Sequence, residues 1–363
     1  MNRRDFLRLT GFVSASLAFP RSKFVLAEDS SPAGWRTFDV TTLVEVVKPS
    51  GTTRVWLPTA LLQDTPFQKT ISNRFDAPGG TVELVERKAD ALGIVRATFA
   101  EGARPVLTLT SRVQTRDYAI DLSKPGTAPK ASRSELAHFL RPTALMPTDG
   151  IVKQTAVDAT KGATTDVEKA KAIYEWIVAN TFRNPKTRGC GAGDVRFMLE
   201  SKDLSGKCAD LNALFVAMAR ASGLPARDLY GIRVAKSELG YQSLGASTDN
   251  VTKAQHCRAA VYLDSHGWVP VDPADVRKVV LEEPPGNRPL DDEIVKKARA
   301  RLFGSWEMNW MAFNFGHDVE LPGSNGPALA FLMYPQAETA ECRLDCLDAA
   351  NFRYEITPKQ VPA

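Results

Sequence analysis

Ser205-Gly206-Lys207-Cys208-Ala209-Asp210-Leu211-Asn212-Ala213-Leu214-Phe215-Val216-Ala217-Met218-Ala219-Arg220 is the stretch on which the reading of this chain turns. Leu211, Leu214, Phe215 and Met218 recur at helical spacing and make one apolar face, and Gly223 followed by Pro225 closes the helix. Cys208 falls at or just before the first turn. Backbone N–H groups and the positive end of the helix dipole favour thiolate over thiol there, and the thiolate is the form that attacks a carbonyl. Taken alone, Cys208 reads equally well as a buried structural thiol, since free cysteine is among the most buried residue types.

Residues further along tip the balance. His256-Cys257-Arg258-Ala259-Ala260-Val261-Tyr262-Leu263 reads as a strand, Asp264-Ser265-His266-Gly267 as a turn, and Trp268-Val269-Pro270-Val271-Asp272 as the returning strand. A cysteine hydrolase needs a base for the thiol proton and a third group that holds the base in the right tautomer and orientation. Cys208 at a helix start, His256 opening one strand and Asp272 ending the next supply all three. Register is the weak point. If the turn pairs Leu263 with Trp268, Asp272 falls opposite Ala259, on the face away from His256. One extra residue in the ladder is then required, and Pro270, which has no N–H to give, is where a bulge is expected.

Gly206-Lys207-Cys208-Ala209-Asp210, a helix ending Ser222-Gly223-Leu224-Pro225-Ala226-Arg227, His256 opening a strand, and Gly267-Trp268-Val269-Pro270-Val271-Asp272-Pro273 occur in that order. Together they resemble the transglutaminase-like domain, a rearranged relative of the papain fold, over a core of residues 165 to 275. The resemblance implies an α+β fold, a papain-like/transglutaminase-like core preceded by a small β-sandwich-like domain. It also implies that Cys208 is the nucleophile, His256 the base and acid, and Asp272 the group that orients His256. The activity implied is cysteine-dependent acyl transfer from an amide through a Cys208 thioester. Water as acceptor makes a peptidase or amidase acting on peptide or cell-envelope amides; a lysine amine makes a protein-crosslinking transglutaminase. A catalytically silent relative that binds protein partners has no need to keep all three side chains. Cys257-Arg258 departs from the small-aromatic pair usual after the histidine, which concerns the wall facing the substrate.

Outward from this core, Asp166 to Phe182 predicts a helix with Ala170, Ile173, Tyr174, Ile177 and Val178 on one face. Thr165 or Asp166 caps it and Asn184-Pro185 stops it. A second oxyanion donor is expected from the segment after this helix. Trp176 and Asn184 are candidates for that role, but core packing and a helix stop account for them better. Residues 28–122 read as a β domain, with strands at Arg36–Val46, Thr81–Glu86, Ile94–Phe99 and Val106–Val113. Residues 123–134 read as a Pro/Gly/Ser/Lys linker, and 135–363 as the catalytic domain.

At the N-terminus, Asn2-Arg3-Arg4-Asp5-Phe6-Leu7-Arg8 precedes a mostly apolar stretch from Leu9 to Phe19, and Val25-Leu26-Ala27 offers a cleavage site. This resembles a twin-arginine export signal over residues 1–27 and predicts a periplasmic or otherwise exported protein. That stretch is too short to span a bilayer as a mature helix, and no other candidate span follows. Residues 1–27 hold five basic side chains and one acidic, the whole of the chain's formal charge of +4. The remainder is neutral, which argues against nucleic acid or an anionic membrane surface as a partner; a protein or peptide substrate is what the family resemblance implies.

The other candidates are weaker. Gly189-Cys190-Gly191-Ala192-Gly193-Asp194 lacks the Gly-Lys-Ser/Thr of a phosphate loop. Cys190, Cys208, His256 and Cys257 fit no familiar zinc spacing, so neither metal nor cofactor is expected. Cys342 and Cys346 lie in a strand-like pattern, where their Cα atoms stand about 13 Å apart, too far to bridge. His266 is expected to be a solvated turn residue and His138 a core or surface histidine. His317, beside Asp318, is the rival base, ranked below His256.

Overall fold

The computed structural model describes residues 34–126, 130–247 and 249–361. The arginine pair, the apolar stretch and the cleavage site of the export reading lie outside them. Along the chain, strands β1 (Arg36–Val46), β2 (Thr53–Pro58), β3 (Gln68–Asp76), β4 (Gly80–Arg87), β5 (Leu92–Phe99), β6 (Val106–Thr115) and β7 (Tyr118–Ala119) come first. Helices α1 (Arg133–His138), α2 (Gly150–Ala159) and α3 (Asp166–Asn180) follow, then β8 (Phe182–Arg183), α4 (Val195–Ser201), β9 (Ser205–Gly206) and α5 (Cys208–Ala221). Next are β10 (Ala226–Arg233), β11 (Gln255–Leu263), β12 (Gly267–Val271), α6 (Pro273–Glu282) and α7 (Glu293–Arg301). The last strands are β13 (Ser305–Trp306), β14 (Trp310–Asn314), β15 (Gln336–Glu338) and β16 (Phe352–Val361).

The fold is α+β. Two four-stranded sheets, ordered β16-β1-β6-β3 and β15-β2-β5-β4, face each other as a β-sandwich-like region. Val44 and Leu107 from one sheet meet Val55, Val95 and Phe99 from the other in a single apolar cluster. Each sheet takes its outer strand from the far end of the chain. β16 pairs antiparallel with β1 from Thr37↔Val361 to Val46↔Phe352, and β15 pairs with β2. The sequence reading assigns residues 336–361 to the catalytic part; their ladder partners lie in the N-terminal strands. Cys342 and Cys346 sit between β15 and β16 in irregular chain rather than the strand expected, with one isolated bridge, Glu338↔Arg343.

A separate antiparallel sheet, ordered β12-β11-β10-β14, packs against helices α5 and α3. α3 begins as expected. Thr165 Oγ1 accepts from Glu168 N at 3.2 Å while Glu168 Oε2 accepts from Thr165 N at 2.9 Å, a capping box. Ala170, Ile173, Tyr174, Ile177 and Val178 are its buried residues. α5 differs from its reading as a helix with one apolar face: every residue from Cys208 to Ala221 is buried. It runs between α2 and α3 on one side and β10 and β11 on the other, so apolar side chains surround it.

The β11–β12 hairpin corrects the register expected from the sequence. Leu263 faces Gly267, not Trp268, and the ladder runs unbroken to Ala259↔Val271 with Pro270 opposite Ala260. The turn therefore holds Asp264, Ser265 and His266, and it supplies the one-residue shift that a bulge was expected to supply. Because faces alternate along a strand, Asp272 follows Val271 onto the side of Arg258 and His256. His266 is buried rather than solvated, at 6% exposure. Its Nδ1 lies 2.7 Å from Ser265 Oγ, and Gly126 covers the turn by donating its N–H to Ser265 O at 2.6 Å.

Candidate active site

Cys208 is the first residue of α5 and is 3% exposed. Its position is set by Asp210, two residues on. The Asp210 carboxylate accepts from Lys207 N, Ala192 N and Gly193 N, each at 2.9 Å, and so clamps the Gly189–Gly193 loop onto the helix start. The glycines in that clamp are there for space: a Cβ at Gly191 would lie 1.9 Å from Asp210 Oδ2, and one at Gly206 2.5 Å. Burial outweighs the donated hydrogen bonds and raises the Asp210 carboxyl above its ordinary value. Ala209 N donates to Cys190 O at 2.9 Å. With the neighbouring N–H groups committed, the N–H of Cys208 has no protein partner among the described residues.

His256 is the second residue of β11, buried, with its carbonyl accepting from Trp310 Nε1 at 3.0 Å. Its Nε2 lies 2.8 Å from Asp272 Oδ2. Asp272 caps α6 and is fully buried; its Oδ1 accepts from Asp275 N at 3.1 Å and from Asn212 Nδ2 at 3.3 Å. Asn212 also donates to Cys257 O at 2.9 Å. One turn beyond the thiol, it thus ties α5 to the histidine strand and to the aspartate.

A second carboxylate belongs to this arrangement. Asp275 Oδ1 lies 3.4 Å from His256 Nε2, and both Asp275 oxygens accept from Arg233 Nη2, at 2.6 and 2.7 Å. Burial opposes charging His256, but the carboxylates of Asp275 and Asp272 outweigh it and raise the imidazole pKa. Burial, with Asp275 nearby, pushes Asp272 up. Burial also acts upward on Asp275, yet Arg233 and His256 hold it well below the carboxylate range. Ligand atoms of His256, Asp272 and Asp275 lie within 4.8 Å of one another, a spacing a cation could use. Asp275 spends both oxygens on the Arg233 guanidinium, which a metal would have to displace.

Cys208 and His256 line one open cleft of about 530 Å³, together with Cys190, Tyr334, Phe352 and Tyr354. Asp272 stands behind His256. Cys190 and Cys257 share a buried cluster with Cys208. Hydrogen bonding to Cys208 and Cys257 lowers the Cys190 thiol well below its ordinary value, while burial raises that of Cys257. His317 lies elsewhere, its Nε2 3.2 Å from Asp228 and its Nδ1 3.2 Å from the Tyr230 hydroxyl, and burial lowers its pKa. His138 is half-buried against Asp90 at 2.7 Å. Asn184 Nδ2 donates to Ser205 Oγ at 3.2 Å, fastening β8 beside β9, and Trp176 packs against the helical core.

Sequence reasoning did not single out Asp210, Asn212, Arg233 or Asp275 for the site. The signal available was polar residues inside otherwise apolar runs, such as Asn212 in α5, which need buried partners.

Residues 153–273 match the family model of the transglutaminase-like superfamily. An uncharacterized protein of Haemophilus influenzae is 33% identical over 342 residues, covering 89% of this chain and 91% of the relative. A crystal structure of a Cytophaga hutchinsonii protein proposed to be a cysteine protease is similar at TM-score 0.50 and 17% identity, over 90% of this chain and 99% of that one. The periplasmic domain of TgpA from Pseudomonas aeruginosa has TM-score 0.34 and 13% identity, over 64% of this chain and 90% of that domain. The chain belongs to the transglutaminase-like superfamily.

Proposed function

We propose that the protein is an exported cysteine-dependent hydrolase of peptide or cell-envelope amides, with Cys208 as nucleophile, His256 as acid and base, and Asp272 as the orienting group. The observation that carries this reading is the 2.8 Å contact between His256 Nε2 and Asp272 Oδ2 in the wall of the cleft that Cys208 also lines. With Nε2 committed to Asp272, exchange with the thiol falls to Nδ1. The Cys208 proton passes to that nitrogen, and the thiolate attacks the amide carbonyl. The Cys208 N–H, which has no protein partner among the described residues, can donate to the oxyanion. His256 then protonates the departing amine as the C–N bond breaks, leaving a thioester. Water, deprotonated by His256, attacks the thioester and releases the acid, and the thiol recovers its proton. A raised His256 pKa suits this cycle because imidazolium stabilises the thiolate beside it. Export rests on the arginine pair and the apolar stretch that follows it.

Iodoacetamide labelling of the reduced native protein, read by mass spectrometry, tests the assignment. Cys208 should be alkylated ahead of the other four cysteines, and the rate should fall sharply in His256→Ala but not in His317→Ala. Preferential labelling at another thiol, or loss in His317→Ala alone, overturns it. Incubating the protein with a glutamine-containing peptide, with and without a lysine-like amine, reads the acceptor: free acid marks hydrolysis, and an amide adduct marks the crosslinking activity.

A further inference from the structure

The charge of the cleft is not the charge of the chain. Residues beyond 27 carry no net formal charge, yet Arg183, Arg188, Lys207, Arg233, Lys253 and Lys278 all line the cleft. Among the described residues lining it there is no aspartate or glutamate. Four of the six cations lean on carboxylates outside the lining. Arg183 pairs with Glu282, Arg188 with Asp345, Arg233 with Asp275, and Lys278 with Glu282 at 3.8 Å. Three carboxylates therefore serve four cations. Lys207 and Lys253 have no ion-pair partner among the described residues. One immediately precedes Cys208 and the other stands three residues before His256, so an uncompensated cation enters the site with each of the two reacting side chains.

We infer that the cleft takes acidic peptide segments, with carboxylate side chains flanking the scissile amide and pairing with Lys207 and Lys253. This rests on the proposed function, since it names the substrate class of the same site. Clefts lined by one sign of charge focus the field and concentrate ligands of the opposite sign. Ammonium groups pair with carboxylates through charge-assisted hydrogen bonds. The aromatic residues Tyr334, Phe352 and Tyr354 supply apolar wall for the peptide between its charges.

Binding to the Cys208→Ser protein, followed by fluorescence anisotropy of a rhodamine-labelled heptapeptide, tests recognition without turnover. The acidic peptide, with glutamates on both sides of a central glutamine, should bind roughly tenfold tighter at low salt than its all-glutamine counterpart. That preference should shrink in 0.5 M salt, where the Debye length falls to about 4 Å. Lys253 is exposed, so Lys253→Glu leaves the fold intact, and it should abolish the preference; Lys207→Gln should reduce it. Equal binding of acidic and all-glutamine peptides overturns the proposal, as does an unchanged preference in both variants. Tighter binding of an oligonucleotide of matched charge than of the acidic peptide also overturns it, making the cleft a general polyanion site. The two readings fail separately: a non-nucleophilic Cys208 appears as absent alkylation in the wild type, whereas a wrong substrate class appears as absent charge preference while alkylation persists.

Discussion

Asp275 stands 3.4 Å from an imidazole nitrogen that Asp272 already holds at 2.8 Å. Two buried carboxylates on one histidine keep the ring cationic to higher pH than burial alone would allow. Asp275→Asn removes one attraction, so the pH at which the imidazolium is lost should fall. NMR titration of the His256 ring reads this directly, and a transition unmoved or raised would contradict it. The stability linkage has the same sign. A histidine whose folded pKa is raised contributes stability that is complete below its unfolded value and is lost as pH rises through the folded one. The wild type should therefore lose this contribution on the alkaline side of the ordinary histidine range, and Asp275→Asn should lose less of it. The variant should also be less stable throughout by about 3–5 kcal/mol, because it leaves Arg233 buried without its counter-ion.

At the scale of elements, the site depends on how closely the Gly189–Gly193 loop approaches the start of α5. Gly191 has φ +99°, and an added Cβ there would overlap the Asp210 carboxylate. Gly191→Ala should cost about 2–4 kcal/mol in urea denaturation, from the clash and the left-handed backbone together. It should also slow Cys208 alkylation, because Asp210 holds the N-terminal turn that carries the thiol. Unchanged stability would show that the loop shifts without cost. The β11–β12 hairpin makes the same point about position. A turn one residue shorter than the expected pairing carries Asp272 to the histidine's face with no bulge. The three blocks Gly206–Asp210, His256 and Gly267–Pro273 were legible in the sequence because each is a local pattern. The roles of Asp210, Asn212, Arg233 and Asp275 were not, since a polar residue in an apolar run signals a buried partner without naming it, and most of these partners come from segments apart in the chain.

Across the whole molecule, the two ends of the described chain meet. β16 completes the sheet of β1, while Phe352 and Tyr354 at its start line the cleft. Deleting residues 351–363 should expose the edge of β1 and open one wall of the site. The truncated protein should lose its cooperative thermal transition by circular dichroism, whereas a freely appended tail would leave the melting curve unchanged. The export reading is tested at this scale too. Replacing Arg3 and Arg4 by lysine should leave the protein in the cytoplasmic fraction, because the receptor reads the arginine pair itself.

Cys208, His256 and Asp272 as candidates and four strands of the N-terminal region were legible in the sequence, because helical periodicity, strand alternation and turn chemistry are written in neighbouring residues, while the α+β class and the roles of the three side chains came from the family resemblance that those blocks carry. The tertiary structure decided what depends on distant residues sharing one space: the register that turns Asp272 toward His256, the second carboxylate with its arginine, and the return of the last strand to the first sheet. It also gathered cations from five separate segments into one cleft of a chain with no net charge beyond residue 27. A sum over the sequence cannot show where charge collects, since only folding fixes the distances over which charges act.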